Sequence, residues 1–349
     1  MSEALLASFD AVVCDLDGVV YRGSEAVPGA VEALRRVRAD GRAVAYATNN
    51  ASRPPRVVAD RLRDLGLELD DDAVVTSAQA GARALRERLG ARAVVLAVGG
   101  PGVTEALADV DLVPVDSAAE AVDGVLQGFG AGVGWTDLAE AAYAVAAGAV
   151  WVATNTDQTL PTERGQAPGN GTLVGAVKTA TGCDPQVVGK PHAPLYELAL
   201  SVLHSDPSRT VAVGDRLDTD IVGAHAAGLP SVLVLTGVSG LSDLADAAPD
   251  DRPRFLVADL GGLHQGYAEP ASDGGGSWSC GHALLTLRPG PEPSLVVRDE
   301  GRPGELVRVA LAAVWRELDG GGLRREQAHR MLADLDQRAR VTPPGGAER

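Results

Sequence analysis

The stretch VVCDLDGVVY, residues 12–21, decides the fold that the sequence predicts. An apolar run that begins at Ala11 is typical of a buried strand in a parallel sheet. The run stops at Asp15 and Asp17, and Gly18 then permits a sharp turn. Buried carboxylates are unfavourable unless something offsets their charge, and open α/β sheets bind ligands at the carboxyl ends of their strands. The stretch therefore predicts a strand that presents two acids to a binding site.

Two interpretations fit this Asp-x-Asp-Gly pattern when it is taken alone. In the first, one carboxylate attacks a phosphoryl group, the other moves the proton, and a hard cation offsets the negative charge. In the second, the pattern is only a strand followed by an acidic turn. The remainder of the chain has to distinguish them.

Length and charge limit the classes of function. The 349 residues are enough for two or three domains, and 31 basic against 47 acidic residues leave a net charge of −16. This charge argues against binding to nucleic acid or to anionic membranes. No apolar run approaches the length of a membrane span, no basic region opens the sequence, and the three cysteines lack paired or metal-ligand spacing. We therefore expect a reduced, cytoplasmic enzyme.

A second polar cluster, Thr48, Asn49 and Asn50, follows a predicted strand over residues 42–47. Short polar residues at a strand end can bind an anion through a hydroxyl, an amide and backbone N–H groups. A polar turn that caps the next helix explains the same residues equally well.

Two further clusters continue the pattern. Lys190 follows a short strand and could reach a phosphate as a point charge, although an isolated lysine at such a position is usually solvated. The apolar stretch 211–213 is followed by Gly214, and then by Asp215 and Asp220. These two acids are placed as a metal ligand and as a partner that orients the ligands.

The alternation of predicted strands and helices indicates the domain organisation. It predicts an α/β fold with a Rossmann-like parallel-sheet core in two parts, residues 1–77 and 187–268. Residues 78–186 form an inserted α/β domain with its own sheet. A Gly/Ser-rich linker over 269–278 leads to a small α+β module at 279–349, with two strands, two helices and no catalytic constellation. Because all four motifs precede the linker, we expect the core to keep its chemistry without the module.

The four clusters, in this order, resemble those of the haloacid dehalogenase-like phosphatases, over about residues 11–265. The inserted block resembles the C2-type cap of the branch that acts on 4-nitrophenyl phosphate, phosphoglycolate and pyridoxal phosphate. The stretches that carry this resemblance are 153–155, 168–171, 189–191 and 214–221. Three others resemble glycerol 3-phosphate phosphatases of that branch: 74–79, 134–142 and 159–165.

The resemblance implies a role for each acid. Asp15 would be the nucleophile that forms an aspartyl-phosphate, and Asp17 would protonate the leaving group and then deprotonate water. Mg²⁺ would bind the Asp15 carboxylate, the Asp17 backbone carbonyl and Asp215, while Asp220 would orient the metal ligands.

The resemblance also implies the binding residues. Thr48, Asn49, Asn50 and Lys190 would contact the phosphate of the substrate. The cap would exclude water and shape the pocket for the alcohol. Within the cap, Arg164 and the 168–171 turn residue Asn170 are candidates for substrate contacts, with a purely structural loop role as the alternative.

The expected function is therefore a Mg²⁺-dependent phosphomonoester hydrolase, with glycerol 3-phosphate as the favoured substrate. Within that class, 2-phosphoglycolate, pyridoxal phosphate or a sugar phosphate remain alternatives. Two other classes remain open: a phosphotransferase or mutase, and a sensor that only binds a phosphate ligand. The acid pair argues against the sensor, because binding alone does not require Asp17. The expected partner is a small phosphomonoester, and the cap leaves room for a homo-oligomer.

Overall fold

The computed structural model describes residues 3–162, 164–302 and 304–341. Its first part contains five strands and two helices: β1 (Ala11–Cys14), β2 (Tyr21–Arg22), β3 (Glu25–Ala26), α1 (Ala30–Ala39), β4 (Ala43–Thr48), α2 (Pro55–Asp64) and β5 (Val74–Thr76). β2 and β3 form a small antiparallel hairpin directly after the acid pair. Nowhere in the described residues is a helix both long and apolar enough to cross a membrane.

The inserted block has a sheet of its own. Its elements are α3 (Ser77–Leu89), β6 (Val94–Val98), α4 (Pro101–Asp109), β7 (Val113–Val115), β8 (Gly124–Gln127), α5 (Trp135–Ala146), β9 (Val150–Ala153), β10 (Thr159–Thr162), β11 (Gly165–Pro168), α6 (Asn170–Thr181) and β12 (Gln186–Val187). Five of the strands form a parallel sheet in the order β12-β9-β8-β6-β7, and β10 and β11 form a separate hairpin. Position 187, predicted to open the second part of the core, therefore belongs to the edge strand of the cap sheet.

The chain then completes the core sheet. The elements are α7 (Pro194–Leu203), β13 (Thr210–Gly214), α8 (Val222–Ala226), β14 (Ser231–Val234), α9 (Leu241–Asp246) and β15 (Phe255–Val257). Six parallel strands lie in the order β15-β14-β13-β1-β4-β5, so β1 is central. Its four residues are all buried, as expected for a strand that is covered on both faces. The α/β core predicted from the sequence is confirmed, and the carboxyl ends of β1, β4 and β13 meet at one edge.

The C-terminal module is an antiparallel sheet with two helices. Its elements are β16 (Ala271–Ser272), β17 (Ser277–Cys280), β18 (Ala283–Arg288), β19 (Ser294–Asp299), α10 (Glu305–Asp319) and α11 (Arg325–Val341). The linker prediction for 269–278 is wrong in part, because β16 and the start of β17 pair with each other inside that segment. Its glycines form the tight turn between these strands, with positive φ angles of 81° at Gly274 and 95° at Gly276.

The module shares one hydrophobic core with the core domain. Its Leu285 and Val314 belong to the same buried cluster as Leu217, Ile221 and Leu233 of the core. A unit of this size buries only a modest fraction of its surface by itself, and packing against a neighbour adds to that burial. The composition of residues 269–278 predicted a flexible connection, whereas the module and the core share one buried cluster.

Helix α3 connects the cap to the core. Its buried face joins a cluster that contains Val13 and Ala45 of the core sheet together with Leu126 and Val152 of the cap sheet. Both sheets therefore pack against shared apolar side chains, and this packing sets their distance from each other.

Candidate active site

Asp15 lies at the carboxyl end of the central strand, beside a buried lysine. The Asp15 backbone N–H donates to the Val213 carbonyl at 2.8 Å, which extends the pairing of β1 with β13 by one residue. The Lys190 ammonium group forms an ion pair with Asp15 and donates to Asp220 Oδ1 at 2.7 Å and to the Ala47 carbonyl at 3.3 Å. Only 4% of the Lys190 side chain is exposed. The alternative of a solvated surface lysine is therefore excluded.

Asp215 and Asp220 follow β13 and face the same edge. Asp220 Oδ2 accepts hydrogen bonds from the backbone N–H groups of Asp215 at 3.2 Å and Arg216 at 3.1 Å. One turn of π-helix, Leu217–Ile221, returns the chain so that Asp220 packs against Gly214, where any side chain would collide with it. Asp215 Oδ2 accepts from the Val238 N–H at 2.7 Å. Both carboxylates are thus fixed by backbone donors.

The donor set fits a hard divalent cation. One carboxylate oxygen from each of Asp15, Asp215 and Asp220 lies within 4.8 Å of the others. Among the hydrogen bonds of the described residues, none uses Asp15 Oδ2 or Asp215 Oδ1, whereas both oxygens of Asp220 already have donors. Mg²⁺ prefers oxygen ligands from one or two carboxylates together with phosphate and water. Asp15 and Asp215 are thus the carboxylates available to the metal, and Asp220 is placed to orient its surroundings.

The charges around Lys190 shift several pKa values. Burial raises the pKa of Asp15 well above its usual range, and the charges of Asp220 and Asp215 add to this, while Lys190 opposes it. Burial and the Asp220 charge raise the pKa of Asp215 to about 6. Burial lowers the pKa of Lys190, but Asp15 and Asp220 outweigh this and leave it well above its usual value. Three carboxylates around one ammonium group are an excess of negative charge that a cation would relieve.

Asp17 lies at the mouth of this cleft. Its side chain reaches solvent, yet the protein around it raises the pKa of its carboxyl, an effect that the positive charges of Arg61 and Lys190 oppose. The Arg61 guanidinium stacks on the Tyr21 ring with its centre 3.9 Å from the ring centroid. An accessible carboxyl with a raised pKa suits a group that gives and takes a proton.

The polar cluster after β4 also bonds to the protein around it. Asn49 Oδ1 accepts from the Lys190 N–H at 2.8 Å, and Asn49 Nδ2 donates to the Lys190 carbonyl at 3.0 Å. Asn50 Oδ1 accepts from the N–H of Ser52 at 2.9 Å and caps a turn. Among the hydrogen bonds of the described residues, none uses Asn50 Nδ2, and phosphate contact through Asn49 and Asn50 stays a prediction. Thr48 is buried, and its hydroxyl accepts from the Asn50 N–H at 3.1 Å.

Two cap residues that the sequence reasoning left without a role reach this edge. Asn155 Nδ2 donates to the Asn49 carbonyl at 2.8 Å, and Asp157 Oδ2 accepts from Asn49 Nδ2 at 3.4 Å. Burial raises the pKa of Asp157, and the hydrogen bond from Asn49 opposes this shift. The available signal was another polar run directly after a buried strand, β9, which is the same pattern that identified the core clusters.

The two candidate cap contacts lie in different environments. Asn170 is 1% exposed, and its Nδ2 donates to the Asn155 carbonyl at 2.7 Å and to the Gln127 carbonyl at 3.4 Å. It therefore supports the interior of the cap instead of forming part of a surface loop. Arg164 is exposed in the turn between β10 and β11, beside a broad open concavity that this hairpin lines.

The family follows from comparison with known proteins. Residues 12–113 match the model for haloacid dehalogenase-like hydrolases, and residues 187–263 match a second model described as HAD-hydrolase-like. The first match runs from the core into the first elements of the cap, the second covers the second part of the core, and together they contain Asp15, Lys190 and Asp215. This chain belongs to the haloacid dehalogenase-like hydrolases, and the expected family is confirmed.

The relatives are phosphatases. The chain is 43% identical over 316 residues to a D-glycerol 3-phosphate phosphatase from Mycobacterium tuberculosis, covering 90% of this chain and 88% of the relative. It is 36% identical to an acid sugar phosphatase from Staphylococcus aureus, covering 68% of this chain and 91% of the relative. The crystal structure of the M. tuberculosis glycerol phosphate phosphatase in complex with magnesium superposes with a TM-score of 0.79 at 41% identity, covering 90% of this chain and 93% of that one.

Proposed function

We propose that the protein hydrolyses a small phosphomonoester through an aspartyl-phosphate on Asp15. The observation that supports this most directly is the ion pair of buried Lys190 with Asp15 and Asp220 at the carboxyl end of the central strand, with Asp215 beside them. A binding protein needs no such excess of buried acids, because they repel the phosphate that it would have to bind.

The chemistry has two displacements at phosphorus. In the first, an Asp15 carboxylate oxygen bonds to phosphorus, the ester P–O bond breaks, and the leaving alkoxide takes a proton from Asp17. In the second, Asp17 takes a proton from water, the water oxygen bonds to phosphorus, and the acyl-phosphate bond breaks. Inorganic phosphate leaves, and the Asp15 carboxylate is restored.

Mg²⁺ would be held by Asp15 and Asp215, and the Asp17 backbone carbonyl remains a further predicted ligand. When bound, it would neutralise charge that builds up on the phosphoryl oxygens and the carboxylates. Lys190 adds a fixed positive charge on the Asp15 side, and its two acidic partners keep its ammonium group protonated. Thr48, Asn49 and Asn50 remain the predicted phosphate ligands after β4.

Glycerol 3-phosphate is the substrate that we favour. The M. tuberculosis relative is a D-glycerol 3-phosphate phosphatase, and the similarity covers nine-tenths of this chain. Phosphate release from glycerol 3-phosphate, 2-phosphoglycolate, pyridoxal phosphate and a sugar phosphate should be compared with Mg²⁺ present. We expect the highest kcat/KM for glycerol 3-phosphate; a higher value for another ester would replace it as the substrate.

The phosphate-release assay also separates hydrolysis from phosphoryl transfer. A second experiment tests the covalent intermediate: rapid quenching with ³²P-labelled substrate should trap label on the wild-type chain but not on Asp15→Asn. A phosphorylated acceptor formed in place of inorganic phosphate would indicate a phosphotransferase. Absence of any turnover together with tight substrate binding would indicate a sensor.

Self-association through the cap is a separate part of the proposal. Trp135 and Tyr143 on α5 are 79% and 62% exposed, which is high for large aromatic side chains. Sedimentation of the wild type and of Trp135→Ser would test it: a dimer that the substitution dissociates supports the cap interface, and a monomeric wild type contradicts it.

A further inference from the structure

A small pocket lies where the C-terminal module packs against the edge of the core sheet. It encloses about 190 Å³ between β15 and α10, with apolar and aromatic walls that include Pro253, Leu256, Tyr267, Leu311 and Trp315. Because an apolar cavity of about 150 Å³ can hold a benzene ring, the space suits a ligand of about that size. Its lining residues, all in the described part of the chain, include none of those proposed for catalysis.

One wall of this pocket carries a buried arginine. Arg308 is 8% exposed, and its Nε donates to Cys280 Sγ at 3.4 Å while Nη1 donates to the Leu256 carbonyl at 3.2 Å. The guanidinium centre lies 4.4 Å from the centroid of the Tyr267 ring. The other three of its five N–H donors have no hydrogen-bond partner among the described residues.

No described acid neutralises this charge at close range. Glu305 accepts hydrogen bonds from the backbone N–H groups of His282 at 3.0 Å and Arg302 at 2.9 Å, and Glu269 pairs with Arg254 at 2.9 Å. No carboxylate oxygen of the described residues lies within 4.0 Å of an Arg308 nitrogen. A guanidinium does not lose its proton in proteins, and a buried unpaired charge is unfavourable. Glu305 lies outside the lining, although its charge attracts Arg308. The residues that line the pocket, in which Arg254 pairs with Glu269, therefore carry one positive charge in excess.

We propose that this pocket binds a small organic carboxylate, with its carboxylate paired to Arg308 and its apolar part against Tyr267 and Leu311. The planar fork of a guanidinium matches a carboxylate, which can accept two hydrogen bonds from it. The apolar walls favour an organic anion over an inorganic one, because phosphate or sulfate would keep oxygen atoms that the walls cannot satisfy.

The test is a ¹⁹F NMR titration of the full-length protein with 4-fluorobenzoate as the probe. Mg²⁺ and saturating inorganic phosphate are present, so that the probe cannot be reporting on the catalytic site. The neutral isostere 4-fluorobenzamide is titrated in parallel. Two variants alter the pocket in different ways: Arg308→Gln removes the charge, and Ala312→Leu fills the space without changing any charge. Arg316→Gln, at an exposed arginine of α10 that does not line the pocket, is the matched control.

We expect saturable binding of the benzoate and binding at least about tenfold weaker for the benzamide and for Arg308→Gln, because a hydrogen bond to a charged group is lost. Ala312→Leu should also weaken binding at least about tenfold while phosphatase activity stays unchanged, and Arg316→Gln should change affinity less than about threefold. A parallel titration without phosphate should give the same affinity. Binding that phosphate abolishes, equal binding of the neutral amide, unchanged affinity in Ala312→Leu, or no saturable binding would each overturn the proposal.

Discussion

The two parallel sheets of this protein carry different chemistry at their carboxyl ends. The edge of the core sheet holds charged groups: Asp15 after β1, Asp215 after β13, and Lys190 between acids. The edge of the cap sheet holds neutral ones, with Gln127 at the end of β8 and Thr154 after β9. Similar backbones thus carry an ionic site at one edge and neutral side chains at the other, where Gln127 and Thr154 are fully buried.

This difference separates the charged groups proposed to carry out the reaction from the neutral groups that hold the cap and the core together. The core edge has an excess of negative charge, because Lys190 is one ammonium group among three carboxylates, and a cation would relieve it. The cap amides are satisfied in part by protein. Asn170 donates to Asn155, Asn155 donates to Asn49, and Asn49 bonds to the N–H and the carbonyl of Lys190, whereas Gln127 Nε2 and Asn170 Oδ1 have no hydrogen-bond partner among the described residues. A series of hydrogen bonds therefore runs from the cap interior to Lys190. Five experiments can break or sharpen this division.

The largest effect is expected from Asp15→Asn. It removes the nucleophile and should lower kcat by at least about 10⁴-fold, as for other residues that act as a unit with their neighbours. The matched control is Asp10→Asn, just before the same strand, where the exposed carboxylate pairs only with Arg209. That control should change activity less than about twofold. Full turnover by folded Asp15→Asn would remove the covalent mechanism.

The C-terminal module should be needed for the fold, contrary to the expectation from its composition. Val314→Asp places a charge in the cluster shared with Leu217 and Ile221, on either side of the Asp218–Asp220 segment, and should cost several kcal/mol of stability along with activity. Leu284→Asp, on the exposed face of β18, is the control and should cost less than about 0.5 kcal/mol. Urea unfolding measures both; equal small losses would mean that the module is an independent attachment.

Protonation of the Asp215 carboxyl should make the stability of the fold depend on pH and on bound metal. Its pKa rises from 3.8 to about 6 on folding without metal, which corresponds to about 3 kcal/mol at about 1.36 kcal/mol per pH unit. Since the folded state holds the proton more tightly, this contribution to stability is present below pH 4 and is lost as the pH rises through 6. In EDTA at pH 7.5, Asp215→Asn should therefore be more stable than the wild type, and the difference should vanish near pH 4.

Magnesium should reverse the order of stability of Asp215→Asn and the wild type. Added Mg²⁺ should stabilise the wild type and restore its activity after chelation, but do neither for Asp215→Asn; Ca²⁺ should restore turnover poorly because its coordination is looser. Urea unfolding at each pH and a phosphate-release assay supply the measurements. Undiminished wild-type activity after exhaustive chelation would contradict the metal site.

Asn49→Ala tests the link between cap and core. It removes both hydrogen bonds to the Lys190 backbone and should lower kcat by about 10- to 100-fold, since each lost bond to a buried group costs about 1–3 kcal/mol. KM should change less, because the effect acts through the position of Lys190. Asn50→Ala leaves both bonds to the Lys190 backbone in place and is the comparison: a decrease in stability alone is expected if Asn50 only caps its turn, and a higher KM if it contacts the phosphate. If Asn49→Ala instead raises KM alone, its amide contacts substrate.

The smallest effects are expected in the cap. Asn170→Ala should cost about 1–3 kcal/mol of stability and leave the ratio of kcat/KM between glycerol 3-phosphate and 4-nitrophenyl phosphate unchanged. Arg164→Ala should not alter stability, and should lower kcat/KM for glycerol 3-phosphate less than about tenfold and more than for the aromatic ester. Equal losses on both substrates would remove Arg164 from the specificity site.

The sequence by itself determined the core edge. Apolar runs set the strands, and parallel strands bring their carboxyl ends to one side, so Asp15, Asp215 and Asp220 could be assigned to one site without coordinates. The family resemblance added Lys190, which follows the edge strand of the cap sheet. It also indicated the inserted cap and an added module, because these interrupt or follow the alternation of strands and helices.

Only the tertiary structure decided which partners the neutral polar groups take and how the module attaches. An amide can accept, donate or cap a turn, and the choice of Asn49 depends on Lys190, 141 residues away in sequence. The glycines and serines of 269–278 have the composition of a linker, yet they form a strand and a tight turn because apolar side chains on both sides pack into one core. Charge and hydrophobic period can be read along a chain, whereas the partners of a hydrogen bond and the neighbours of an apolar face exist only after folding.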